Sequence, residues 1–347
     1  MKNLFKHMNL YKLAAFFFFL SSNPSQAQGV RPVDVQTAFA NAVIACSKAV
    51  GRDVALETSD ALEQGTITLA DPNRPALLTA GKGEKLYDVG PAKGIAVILV
   101  DTTKNCRIMA YGPRVLPTYA LVEKELKAQS SQWTKIQRET TPEDFIERYE
   151  HVESDGSIVH VFLMGGEPGM GSRIFRFPLL GADVKRYPAN YLEAATAAFA
   201  DGALQCAKAM HQAITLDSLP SEELRDWTLL EQRTTLGQTY RRYGMTPIND
   251  IVSLSSTSTS NCYIGAAWLD AEGALNASLA KLLQTFPSLK EVSRRDRNHV
   301  RTILLTFKDT NQSDVSLVFT VDKIGGVSAS EKRARLTLLI ERSDQQR

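Results

Sequence analysis

The sequence predicts an α+β protein of two tandem homologous domains, each an antiparallel sheet with two helices and one intradomain disulfide. Three observations carry that expectation. Phe39-Ala40-Asn41-Ala42-Val43-Ile44-Ala45-Cys46-Ser47-Lys48-Ala49 returns as Phe199-Ala200-Asp201-Gly202-Ala203-Leu204-Gln205-Cys206-Ala207-Lys208-Ala209. Asn105-Cys106 returns as Asn261-Cys262, and all 4 cysteines of the 347-residue chain fall at these repeated places.

The chain opens with Lys2, Lys6 and Lys12 and no acidic residue, followed by an apolar core from Leu13 to Leu20 and polar Ser21-Ser22-Asn23-Pro24. This is the pattern of a secretory signal peptide over residues 1–27, with Ser25-Gln26-Ala27 at the cleavage positions. The apolar core is far shorter than the roughly 20 helical residues a bilayer requires, so no membrane insertion is expected after cleavage. A periplasmic or secreted location follows, with the two domains over 28–187 and 188–347.

The leader also carries the positive charge. The whole chain is +2, and without the three leader lysines it is close to neutral. A near-neutral protein has no long-range field to gather nucleic acid, which excludes that class of partner.

Within the first copy, Val35, Phe39, Ala42, Val43, Cys46 and Val50 recur at helical spacing. Ile95 to Val100 reads as a buried strand, and Asn105 to Tyr111 returns across Asp101-Thr102-Thr103-Lys104 as its hairpin partner. A second helix runs from Pro117 through Leu121, Val122, Glu125 and Leu126 to Gln129. Ile158 to Met164 and Arg173 to Phe177 then form a hairpin.

The second copy repeats the first helix through Leu192, Ala195, Phe199, Ala203, Cys206 and Met210. Its second helix runs through Leu275, Leu279, Leu282, Leu283 and Phe286 and stops at Pro287. Val300 to Phe307, Val315 to Val321 and Arg335 to Ile340 are its later strands. Aligning Ile158–Phe177 with Val300–Phe319 leaves an insertion in the first copy around Gln132–Asp155. No βαβ crossover appears, which excludes a doubly wound nucleotide-binding fold.

Four cysteines permit three pairings. A domain that once folded alone closes its own bridge, so Cys46 pairs with Cys106 and Cys206 with Cys262. Neither Cys-x-x-Cys nor a paired Cys/His spacing occurs, so a structural staple outweighs a redox or metal role, and no metal and no cofactor are expected.

Other candidates fail the same comparison of copies. Gly165 to Gly171 precedes a strand rather than a helix and reads as a hairpin turn, not a phosphate cradle. Ser278 and Lys281 have the spacing of penicillin-recognising enzymes but lack the supporting motifs, leaving an exposed helix face. His151, His160, His211 and His299 have no histidine counterparts, His160 aligning with Thr302. His151 with Glu147, Glu150, Glu153 and Asp155 reads as a solvated polar loop.

Ser255 to Ser260 reads as a hairpin rim, and Trp268 as a core residue. The candidate ligand contacts are Arg294 and Arg295, in a basic stretch at a solvated helix exit, and Trp133 and Trp227, near loops where an aromatic can close a cleft. The expected function is a non-catalytic binding or accessory protein of the bacterial cell envelope, whose partner is an envelope protein or a small ligand. The alternatives are a hydrolase with a site formed only in three dimensions, and a structural subunit of an envelope assembly.

Overall fold

The computed structural model describes residues 32–56, 67–71, 84–90, 96–102, 105–140, 145–166, 178–235, 238–246, 248, 251–257, 261–297, 300–322 and 333–342. Residues 1–27, expected to be a signal peptide, residues 173–177, expected to be a strand, and Glu167–Gly171, Ser258–Ser260, His299 and the side chain of Trp268 lie outside the described residues. Among the described residues, no helix is long and apolar enough to cross a membrane.

The chain is α+β. It separates into two compact units, the first built mainly from residues up to Arg186 and the second mainly from Tyr187 onward. The first is built from α1 (Pro32–Gly51), β1 (Ile67–Leu69), β2 (Lys85–Val89), β3 (Ala96–Thr102), β4 (Asn105–Tyr111), α2 (Val115–Gln129), β5 (Thr134–Thr140), β6 (Phe145–Val152), β7 (Ile158–Gly166) and β8 (Leu179–Tyr187). The second has α3 (Tyr191–Gln212), β9 (Thr228–Thr235), β10 (Gln238–Gly244), β11 (Val252–Ser256), β12 (Asn261–Asp270), α4 (Ala271–Thr285), β13 (Lys290–Arg297), β14 (Val300–Lys308), β15 (Asp314–Asp322) and β16 (Arg333–Arg342).

Each unit holds one 8-stranded sheet, ordered β1-β2-β3-β4-β8-β7-β6-β5 in the first and β9-β10-β11-β12-β16-β15-β14-β13 in the second. The order is the same in both: two antiparallel meanders, each preceded by a helix, joined through their last strands. The helices cover one face of each sheet, because Phe39, Val43, Tyr119 and Val122 share a core with Ile108 and Val161. Phe199, Ala203, Leu275 and Leu282 share another with Ile264 and Phe319.

Local details repeat as well. Just past α1 at Asp53 and just past α3 at Ala213 the backbone is left-handed, both at φ 55. The next N–H bonds back to the helix in each, Val54 to the Ala49 carbonyl and Ile214 to the Ala209 carbonyl, both at 3.0 Å. This is how a helix disposes of its last free carbonyls. The β6–β7 turn closes with the Glu153 N–H on the Ser157 carbonyl at 2.8 Å, and the β14–β15 turn with the Asp309 N–H on the Ser313 carbonyl at 2.9 Å.

These turns correct the alignment made from sequence. Ser157 answers to Ser313, so His160 answers to Ser316 rather than Thr302, and β7 answers to β15 rather than β14. The first unit has no insertion at Gln132–Asp155. Those residues form β5 and β6, the counterparts of β13 and β14. β6 was missed because its sequence, Phe-Ile-Glu-Arg-Tyr-Glu-His-Val, places polar groups on both faces and has no period-2 apolar signal.

The two disulfides join Cys46 on α1 to Cys106 on β4 and Cys206 on α3 to Cys262 on β12, with Cα separations of 6.0 and 5.6 Å. Each pins the longer helix of its unit to a central strand. All four sulfurs are buried beneath the helices.

Candidate functional site

The residues singled out from sequence are held in structural roles. Ser278 is fully buried and its hydroxyl donates to the Ala274 carbonyl at 2.7 Å, while Lys281 is ion-paired with Asp201 on α3. Buried and bonded to its own helix, the serine is closed to substrate. Gly165 ends β7 against α2, where an added Cβ would lie 2.9 Å from the Tyr119 hydroxyl. Its role is close packing of helix on sheet.

Arg294 and Arg295 are exposed on β13, an edge strand rather than a helix exit. Arg294 pairs with Glu291 at 2.9 Å, and Arg301 on β14 pairs with Asp296 at 2.9 Å and Glu272 at 2.6 Å. Trp133 and Trp227 are buried instead of closing a cleft: Trp133 stands edge-on to His151 with ring centroids 5.1 Å apart, and Trp227 lies against Gly202 of α3.

The cluster around His151 is a strand, not a solvated loop. Glu147, Tyr149 and His151 alternate on the helix-facing side of β6. The Tyr149 hydroxyl donates to Glu147 Oε2 at 2.5 Å and lies 3.4 Å from Oε2 of Glu123 on α2, which in turn accepts from Lys127 at 2.7 Å. On the opposite side of β6, Glu150 meets His160 of β7 at 2.9 Å and Arg148 lies over the Phe162 ring at 5.2 Å. In the second unit the counterparts of Glu123, Glu147, Tyr149 and His151 are Leu279, Ile303, Leu305 and Phe307. The first unit thus carries polar side chains at sites where the second uses plain hydrocarbon.

Tyr149 and Glu147 are nevertheless 1% and 4% exposed, too closed for a substrate. The pair locks α2 onto β6. Burial first, then the neighbouring Glu147 and Glu123 carboxylates, push the Tyr149 phenol far above its ordinary value near 10. A raised folded value means this contribution to stability is intact below about pH 10 and falls as the unfolded phenol ionises above it. Tyr149→Phe is expected to lower stability by about 1–3 kcal/mol, because Glu147 loses a buried donor. Urea titrations at pH 8 and pH 11 check both points: the variant should lose less stability than wild type between the two.

A different set of polar side chains lies half-buried on the second unit, on the sheet face away from the helices. Cys262, Ile264 and Ala266 of β12 point to the helices, so Tyr263 and Gly265 point the other way. One register row across this face runs Ser253, Gly265, Thr337, Thr320, Thr302, with Arg295 at its edge. The adjacent row runs Arg242, Ser255, Tyr263, Leu339, Val318, Leu304. A stripe of small and hydroxyl-bearing groups therefore lies beside an apolar and aromatic stripe.

Tyr263 does not stand off the sheet. A Cβ on Gly265 would lie 2.8 Å from the Tyr263 hydroxyl and 3.0 Å from its Cε1, so the ring lies down along the strand in space that only glycine leaves open. Burial pushes its phenol up against the opposing pull of Arg335. Tyr240, hydrogen-bonded to Ser255, is likewise raised by burial, with Arg242 pulling it down.

Arg242 and Arg335 form no hydrogen bond and no ion pair with a described residue, and each has its Nε buried without a partner. Their register neighbours are acidic, but Glu231 is paired with Arg233 and Asp322 makes no ion pair with Arg335. The first unit has nothing equivalent: its counterparts of Arg242, Gly265 and Arg335 are Leu86, Met109 and Leu179. Its counterpart of Tyr263, Arg107, is already paired with Asp183 at 3.3 Å.

No group of three or more His, Cys, Asp or Glu side chains suited to a metal occurs among the described residues. No protein-family model, curated protein or solved structure matches this chain. Sequence reasoning missed Arg242, Tyr263 and Arg335 because they sit on three strands far apart along the chain and meet only through strand register. Tyr263-Ile264-Gly265 was the one local signal, an aromatic two residues before a strand glycine.

Proposed function

We propose that this chain is an exported, periplasmic binding or accessory protein of the bacterial cell envelope that performs no chemistry itself, formed by duplication of one α+β domain. The observation that carries this reading is the asymmetry of the outer sheet faces. The units share sheet order, helix caps, turns and disulfides, yet among the described residues the second presents, beside tyrosines and hydroxyls, two guanidinium groups that pair with no described residue. A duplicated framework with one altered surface suits recognition. The candidate nucleophile and the most concentrated carboxylates are closed off in packing roles, which disfavours the hydrolase.

The leader and the two staples support export, since disulfides persist in an oxidising compartment. Assembly through sheet edges is less favoured. β9 and β13 are exposed edges, but β13 carries six charged side chains among its 8 residues, the pattern that keeps strands from pairing with other chains.

Osmotic-shock fractionation of cells expressing the full chain, with maleimide labelling before and after reduction, tests the export. The protein is expected in the shock fluid, unlabelled until reduced. Recovery in the cytosol with reactive thiols, or turnover of polymeric envelope material by the purified protein, would defeat the proposal.

A further inference from the structure

We infer that the outer face of the second sheet binds a carboxylate-bearing glycan, laid across the strands with its acidic groups on Arg242 and Arg335. This rests on the binding role proposed above and names its ligand class.

Charge comes first. Two guanidinium groups on one face without partners among the described residues are a standing cost, offset when a carboxylate takes up their N–H donors. Arg242 and Arg335 lie three strands apart and two side-chain rows apart. At about 4.8 Å between strands and about 3.3 Å per residue, their Cα atoms are roughly 20 Å from each other. One small anion cannot engage both, whereas a polymer with repeated acidic groups can.

The surface between them favours sugar over other polyanions. A pyranose ring has apolar C–H faces and a rim of hydroxyls, and needs both kinds of surface. Tyr263 and Leu339 form the apolar stripe, and Thr337, Thr320 and Ser253 the hydroxyl stripe beside it. Polyphosphate would have no use for the apolar stripe. An extended acidic peptide gains its affinity from backbone hydrogen bonds to a sheet edge, and this is a sheet face, where the strands already bond one another.

Titration calorimetry on the full chain, expressed with its own leader and purified with its disulfides intact, tests the inference. The probes are oligogalacturonate, neutral dextran, poly-L-glutamate and polyphosphate. Oligogalacturonate is expected to bind, more weakly as salt rises, and dextran not to bind. Arg242→Gln and Arg335→Gln should each weaken binding roughly tenfold, the loss of one charge-assisted contact. Tyr263→Ala should weaken it as well, with Tyr263→Phe restoring most of the loss, and Arg107→Gln on the first unit should leave it unchanged.

Poly-L-glutamate or polyphosphate binding as tightly as oligogalacturonate would overturn the glycan, and a double Arg242→Gln/Arg335→Gln variant that binds like wild type would overturn the site. Absence of oligogalacturonate binding sinks this inference and leaves the non-catalytic reading standing. Shortened oligogalacturonate after incubation does the reverse.

Discussion

Replacing Cys206 and Cys262 together by Ala is expected to lower the stability of the second unit by about 4 kcal/mol. The bridge closes a loop with a sequence separation of 56, and in the chain-entropy account that constraint on the unfolded chain is worth about 4 kcal/mol. The staple joins α3 to β12, the central strand that pairs with both β11 and β16. Both sulfurs are fully buried beside Phe199 and Ile264, so the cavities left by Ala add to the loss. Urea titration monitored by circular dichroism should show the midpoint fall and the slope steepen, because the unlinked chain exposes more surface when it unfolds. An unchanged midpoint would mean the helix is held by its apolar face alone. The matching Cys46→Ala/Cys106→Ala pair, separation 60, should act on the first unit to a similar extent.

What was legible in the sequence was whatever the framework buries with a simple period. Phe39 and Phe199, Cys46 and Cys206, and the strands from Asn105 and Asn261 stand where their spacing places them, because a helix with one apolar face must cover a sheet. The pairing of the cysteines also emerged from the repeat. The first strands of both units and β6 were not legible. In β6 the alternation is of one polar set with another, Glu147 and Tyr149 on one side, Arg148 and Glu150 on the other, and periodicity reads only contrast between polar and apolar. The same strand then spoiled the alignment of the copies, turning two real strands into an apparent insertion.

The binding face was hidden for a different reason. Thr302, Thr320 and Thr337 are unremarkable in the sequence, and they become a row only when β14, β15 and β16 pair in one register. Arg242 and Arg335 look like ordinary surface cations until it is seen that no described residue pairs with them. Arg294 and Arg295 attracted attention instead because they cluster along the chain, yet a cluster on one exposed strand neutralises itself, as Glu291 does for Arg294.

Trp227→Ala is expected to cost about 3–5 kcal/mol, the range for emptying a buried aromatic site. Trp227 is 7% exposed, and its ring lies over Gly202 of α3, where a Cβ would be 3.0 Å from the ring and 2.2 Å from Ile264 Cδ1. Glycine inside a helix is unfavourable by about 1 kcal/mol against alanine, and the first unit has Ala42 at this place. The second unit accepts that cost because Trp227 and Ile264 occupy the space. Gly202→Ala alone should therefore gain no stability, and should stabilise once Trp227 is already Ala and the end of the Ile264 side chain can swing into the vacated space, a coupling that a double-mutant cycle measures. A tryptophan closing a ligand cleft would behave the other way: its removal would spare stability and abolish binding. Retained oligogalacturonate affinity in folded Trp227→Ala, with the stability loss above, assigns the residue to the core; the opposite pair of results would return it to the binding surface.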